Sequence, residues 1–338
     1  MSGLNEENNE LHNQRTETDA FRATEEFKKM FHDNDSFCYE PWQFADYEVC
    51  ADTLKTTYDE INIWGKQEAV IRPGWKVSED TSKVYIPNLF SKISGIYEDT
   101  IQYREDISSL LEEGNTLFFK HFPLFHIKRH NNIGRTYSSL LDKKGIINKS
   151  KLITCKHWKY SNLKPGLQEN IAEKIIEFCK LPDFWKYRYF TTNIKLSVMD
   201  KISTFLTCMD SKEARDELIM KVVTLNVLMN LDSRLLDLLQ NFDYPLHVPK
   251  IIVFNNYRSG NFSFSDAVTL MFMNSMGVDI LIYNPGATSD IENFVKDGYF
   301  DVHKLQFTNP KFKYKRVNFF VRWIRKLKAK KKLLKEMK

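Results

Sequence analysis

The stretch "VDILIYNPGATSDIENF", Val278 to Phe294, decides the fold. It opens with a short run of β-branched and aromatic residues. The run stops at Asn284-Pro285-Gly286, small hydroxyl residues and Asp290 follow, and a helical pattern begins. A run this short and this apolar, bounded by turn residues, predicts a strand buried on both faces. The segment before it repeats the pattern. "PKIIVFNN", Pro249 to Asn256, is a second apolar strand, and "SFSDAVTLMFMNSMG" between them is a helix. Ser263 with Asp266 has the spacing of a capping box, and Gly277 marks the stop. Strand, helix and strand in this order predict a parallel βαβ unit. Ser289 and Glu292 repeat the cap spacing and predict one more helix start.

A similar unit lies upstream. "KVYIPNLF", "YEDTIQYREDISSLLEEG" and "NTLFFKHFPLF" read as strand, helix and strand, with Gly114 as the helix stop. The expected fold is α/β: a Rossmann-like, mainly parallel sheet with strands near 83–87, 116–120, 250–254 and 278–283. The middle, about 165–242, is largely helical. Within it, "SKEARDELIMKVVTLNVLMNLDSRLLDLLQNF" runs without Gly or Pro. Its apolar residues from Leu218 surround most of the circumference, which predicts a largely buried helix. Residues 36–310 therefore form the α/β domain, with 165–242 as a helical insertion. Residues 1–35 are polar and hold nine acidic and four basic groups. They are expected to be disordered or loosely attached.

Charge is unevenly shared among the 338 residues. The formal net charge is +5, yet residues 311–338 hold 13 Lys/Arg and one Glu, which leaves −7 elsewhere. No window approaches the roughly 18–20 apolar residues that span a bilayer. The N-terminus has neither the basic nor the apolar part of a secretory signal. Five scattered cysteines without a CxxC pair fit reduced thiols. The expectation is a cytoplasmic protein.

In parallel sheets, ligands bind beyond the carboxyl ends of the strands. The polar residues of the two central strands gather there: Asn255 and Arg258 after the first, and Asn284, Gly286, Thr288, Ser289 and Asp290 after the second. Asn amides donate and accept, Gly286 admits a close backbone or a positive φ, and a helix start offers free N–H groups. These residues are the candidate ligand site. Plain turn-and-cap chemistry is the alternative, and Asp290 already occupies the helix end where a phosphate would sit. Nucleotide fingerprints of the GxGxxG or GxxxxGK[ST] kind are absent, as are HExxH and GxSxG. Of His121, His126 and His130 the last two would share a helix face at i, i+4, but no Glu completes an HExxH arrangement and Pro123 interrupts the segment, so no metal is expected, and cofactor and catalytic residues stay open.

The C-terminal "VNFFVRWIRKLKAKKKLLKEMK" reads as a basic amphipathic helix. Val317, Phe320, Val321, Ile324, Leu327 and Leu334 approximate one apolar stripe with Trp323 near its edge, and Phe319, Trp323, Arg322, Arg325, Lys326 and Lys330 are the expected membrane or partner surface. This pattern suits an anionic membrane surface. Packing of the aromatics on the protein's own core is the alternative. Nucleic acid is disfavoured, because the basic residues form an arm rather than a groove.

"RPGWKV", "VYIPNLFSKISGI" and "PKIIVFNN…SFSDAVTLMFMNSMGVDILIYNPGATSDIENF", followed by the basic aromatic C-terminus, resemble the bacterial YceG-like family. The resemblance runs from about Phe37 to the C-terminus and is strongest at 84–96 and 250–295. It implies a component of a "biosynthetic module" in a tellurite-resistance or stress-response system, with TerD-type or TelA-type proteins as partners. It supplies no catalytic residue. Two functions follow as expectations: a protein binding a small anionic metabolite or nucleotide at the strand ends, or a non-catalytic scaffold docked at the inner face of the membrane through its basic helix.

Overall fold

A computed structural model describes residues 48–78, 81–124, 133–164, 166–186, 212–242 and 246–317. The expectations for residues 1–35 and for the C-terminal helix, with Phe319, Arg322, Trp323, Arg325, Lys326 and Lys330, fall outside them.

A five-stranded sheet organises the chain: β4 (Phe90–Ser94), β5 (Thr116–Phe119), β6 (Lys250–Phe254), β7 (Asp279–Asn284) and β8 (Asp301–Lys304), in spatial order β5-β6-β7-β4-β8. Every pairing in it is parallel, and β7 has a neighbour on each side. A smaller sheet joins β1 (Glu48–Thr53), β2 (Lys76–Ser78) and β3 (Lys83–Asn88), with β3 in the middle. The strand expected at 83–87 is β3, so it belongs to the small sheet. The main sheet takes the next segment, β4, which Leu89 separates from β3. The physical reason is a buried ion pair. Arg72 Nη1 and Nη2 each donate to a carboxylate oxygen of Asp279 at 2.8 Å, both side chains being fully buried. Asp279 Oδ1 also accepts from the Leu89 backbone N–H at 2.9 Å, which pins the β3–β4 corner to the start of β7.

Eight helices are described: α1 (Tyr58–Trp64), α2 (Thr100–Leu111), α3 (Ile133–Leu140), α4 (Lys149–Thr154), α5 (Leu167–Cys179), α6 (Lys212–Leu228), α7 (Ser233–Gln240) and α8 (Phe264–Ser275). Alternation along the strands divides them between two faces. Ile251, Val253, Ile280 and Ile282 face the large core with α5, α6 and α8. Ile252, Phe254, Leu281 and Tyr283 face a smaller core with α2 (Tyr103, Ile107, Leu110) and Phe312. Helix α8 starts on the expected capping box: Ser263 Oγ accepts from Asp266 N, and Asp266 accepts from Ser263 N. Helix α6 is buried from Leu218 over most of its circumference.

Three local readings are corrected. The long helix of the middle segment is two, because Asp232 accepts from Arg234 N and caps a new start at Ser233. Helix α2 ends at Leu111, and Asn115 rather than Gly114 takes the positive φ, 56°. The pattern after Asp290 yields only a single 3-10 turn, Ile291–Asn293. Glu292, expected to close a capping box with Ser289, reaches instead to Lys92 and to Asp290 N.

Candidate functional site

The strands' carboxyl ends carry two features, one on each sheet face. Adjacent residues of β7 aim at them: Asn284 at the large-core side, Tyr283 at the small-core side.

On the large-core side, Asp290 is the hub. Its Oδ2 accepts from Asn284 Nδ2 at 2.6 Å and from Asn255 Nδ2 at 3.0 Å. Its Oδ1 accepts from Ile291 N at 2.6 Å and faces Lys92 Nζ at 2.9 Å. Lys92, on β4, also donates to Thr288 O at 2.7 Å and pairs with Glu292. Asn284 and Asp290 are fully buried, Lys92 is 1% exposed and Asn255 7%. Burial pushes the Asp290 carboxyl up to about 6, against the lowering pull of Lys92. Burial also acts upward on Glu292, but its hydrogen bonds with Asp290 and Lys92 outweigh this and hold it below its ordinary value.

The seven expected site residues separate accordingly. Asn255, Asn284 and Asp290 converge, joined by the Thr288 carbonyl. Arg258 is exposed and leans on the neighbouring Tyr257 ring, 5.2 Å away, and Ser289 is exposed. Gly286 serves close approach rather than positive φ: a Cβ there would lie 3.2 Å from Pro310, and Ala287 takes the left-handed conformation at φ 51°. Asn255, Asn284 and Asp290 bond to one another and to Lys92, and Thr288 and Ser289 lie exposed beside them. Lys92 is already matched by two carboxylates, so an anion placed there would meet net negative charge.

On the small-core side the surface is open. A groove of about 660 Å³ runs between α1, the β4–α2 connection and Gln306 beyond β8. Gly95 lets the chain leave β4 here: its φ is 101°, and a Cβ would lie 2.6 Å from Phe307 O. Its N–H donates to Asn284 O at 2.8 Å, so groove and cluster share one backbone link. Four carboxylates line the groove, those of Asp59, Glu98, Asp99 and Asp106, with no basic side chain among the lining residues. Tyr58 and Tyr97 meet edge to face, ring centres 5.1 Å apart. Tyr58 Oη and Gln102 Nε2 each donate to Asp106 at 2.8 Å. Burial raises Asp106 above its ordinary value, these two donors opposing the shift. Burial, with Asp59 and Asp106 adding, pushes Tyr97 up to about 12.

Tyr103 and Tyr283 are buried in the small core, with 5.8 Å between ring centres. Neither hydroxyl has a hydrogen-bond partner among the described residues. No three His, Cys, Asp or Glu side chains of the described residues are grouped to hold a metal ion. His121 is exposed, and His126 and His130 lie outside the described residues. No described helix is long and apolar enough to cross a membrane.

Comparison with known proteins bears on the family. The YceG domain matches residues 55–322, which include both features at the sheet's carboxyl edge. The chain belongs to the YceG family. A relative from Bacillus subtilis (strain 168), "Uncharacterized protein YceG", is 33% identical over 291 residues, covering 86% of this chain and 49% of the relative. This YceG-family chain thus spans about half the length of the curated relative it matches. No solved structure matches it.

Sequence reasoning missed Lys92, the Arg72–Asp279 pair and the groove. The first two had a signal: a Lys inside "NLFSKISG" and an Asp inside "GVDILIY" are charges within apolar strands. Such charges are almost never fully buried unless paired. The groove had none, because its residues come from three separated segments.

Proposed function

We propose that this chain is a small-molecule-binding component of a bacterial stress-response system of the tellurite-resistance, "biosynthetic module" kind, working beside TerD-type or TelA-type proteins. Helices on both faces of a parallel sheet support a Rossmann-like description, with ligand capture at the carboxyl edge. The observation that carries the reading is the open groove at that edge, which has the size of a small-molecule site and holds one shielded acceptor, Asn62 Oδ1, without a partner among the described residues. The Lys92–Asp290 cluster positions the β7 end behind it and does not touch ligand.

The test is a thermal-shift panel of nucleotides, sugar phosphates, amino acids and amines on the full chain. Gln306→Trp, which fills the groove mouth, is run in parallel. A compound that raises the melting temperature of the parent and not of the filled variant supports the reading. Equal shifts in both proteins, or none in either, refute it.

A second reading concerns the basic arm. Phe312 and Tyr314 pack at the small core, and Val317 is buried. The net charge of +12 over 311–338 favours a role at an anionic membrane surface.

A further inference from the structure

We infer that the carboxyl edge of the sheet carries, at the ends of β5 and β6, a binding surface for single-stranded nucleic acid. The surface is separate from the acidic groove and does not rest on the small-molecule reading of it.

Three segments meet there. Phe122 N donates to Ser259 O, which joins the residues after β5 to those after β6. The chain beyond β8 then crosses the strand ends. Asn309 N donates to Pro285 O after β7, Tyr257 N to Pro310 O after β6, and Asn256 Nδ2 to Phe312 O at 2.9 Å. The Tyr314 ring completes the crossing against Phe118 of β5, ring centres 5.1 Å apart. The objection to nucleic acid, that the basic residues form an arm, does not hold for residues 309–316, which lie on the folded body beside cations from β5 and β6.

Charge is the first argument. Residues 120–124, 255–265 and 309–317 contain no Asp or Glu. Lys120, Arg258, Lys311, Lys313 and Lys315 are exposed, and none of them meets a carboxylate among the described residues. Arg316 is matched, by Glu112 at 3.2 Å. Burial alternates along the crossing: Phe312 is buried and Tyr314 half-buried, while Lys311, Lys313 and Lys315 are exposed. Cations at every second residue form a row rather than a cup. A row suits a chain of phosphates, whose counter-ions it displaces, better than it suits one compact anion.

The second argument is independent of charge. Tyr257 is 52% exposed, with the Arg258 guanidinium 5.2 Å from its ring centre. Its N–H is bonded to Pro310 O, and Asn256 Oδ1 accepts from Arg258 N at 2.9 Å, so the backbone presents the pair in place. An exposed ring beside a row of cations is a stacking face, which any base can use. A duplex hides the faces of its bases, so the ring favours a single strand. Lys120 lies over the Phe118 and Tyr314 rings, at 4.9 and 5.3 Å, which places its ammonium beside the lysine row. A bilayer surface asks for exposed aliphatic side chains. The three segments expose no Leu, Ile or Val.

Fluorescence anisotropy of the full chain with a fluorescein-labelled oligouridylate of about twelve nucleotides tests the proposal. Binding that weakens with salt is expected, tighter than for a duplex of equal length. Lys120→Gln/Lys313→Gln should weaken it about tenfold and lower the slope of log affinity against log salt by about 1.4, since each phosphate contact on a single strand contributes roughly 0.7. Tyr257→Ala should also weaken binding about tenfold but leave that slope unchanged, because stacking releases no counter-ions. Melting temperatures should hold in both variants, all three residues being exposed. Lys330→Gln/Lys332→Gln makes the same charge change further along the chain and should cost less than Lys120→Gln/Lys313→Gln. Equal losses from the two double variants, with none from Tyr257→Ala, would show attraction by net charge alone and overturn the inference. Tighter binding of the duplex would overturn it too, as would no binding of the oligouridylate. Phosphatidylserine vesicles that bind the parent and not Lys120→Gln/Lys313→Gln, where the oligouridylate binds neither, would assign the surface to a membrane instead.

Discussion

Lys92→Met removes the single cation of the buried cluster while nearly keeping its volume. The parent lysine is 1% exposed and meets Asp290 at 2.9 Å, the Thr288 carbonyl at 2.7 Å and Glu292. In the variant, Asp290 keeps its neutral donors Asn255, Asn284 and Ile291 N, but its charge stays fully buried without a counter-ion. Breaking such a pair costs about 3–5 kcal/mol. At this chain length that lowers the melting temperature by roughly 5–10 °C. The pH dependence carries the sharper test. Burial already pushes Asp290 up to about 6 with Lys92 present, and losing Lys92 raises it further. An unfolded aspartate titrates near 3.8. Between these values the native state binds a proton that the unfolded state does not, so native stability falls as pH rises. Glu292, held below its ordinary 4.5, supplies stability above that value and loses it only at lower pH, outside the pH 5–8 window. The Lys92→Met penalty should therefore be larger at pH 8 than at pH 5. Urea denaturation followed by tryptophan fluorescence at the two pH values measures it. A penalty below about 1 kcal/mol, or one that is equal or larger at pH 5, would refute the reasoning.

Further expectations concern other parts of the chain. Arg72→Met leaves Asp279 buried and unpaired at the β3–β4 corner, and urea denaturation should show a loss of about 3–5 kcal/mol. Tyr283→Phe removes a buried hydroxyl that has no partner, so the melting temperature should hold or rise. Sedimentation with anionic vesicles should depend on residues 317–338 and fall as salt rises; equal sedimentation without that arm would rule the membrane role out.

Where local pattern and burial agree, the fold is readable from sequence. β6 and β7 are short apolar runs around a capped helix, and both lie inside the main sheet. The reading failed where long-range charge pairing decides. "KVYIPNLFSKIS" is apolar enough to be one strand, but Asp279 bonds the Leu89 N–H and Arg72 together, and the chain turns from one sheet to the other. The same holds at Ser289 and Glu292, whose spacing promises a helix cap. Lys92, 200 residues away in sequence, claims Glu292 instead. The strand-end residues Asn255, Asn284 and Asp290 were legible as a group, because two parallel strands bring their ends together. Their pairing with Lys92 was not legible, since that lysine comes from β4, far away in sequence. The groove follows from helix α1 standing over the start of α2, an arrangement that no spacing in the sequence encodes.

The most direct measurement is a methyl NMR titration of the isoleucine-labelled full chain with a compound that raises its melting temperature in the thermal-shift panel. Ile63 lies in the groove and Ile101 near its end, at the start of α2, whereas Ile282 and Ile291 lie on the large-core side with the Lys92–Asp290 cluster. Saturable shifts of the Ile63 and Ile101 methyls, with Ile282 and Ile291 still, are the predicted result. Shifts at Ile282 and Ile291 with Ile63 and Ile101 unmoved would place binding in the buried cluster and contradict the account.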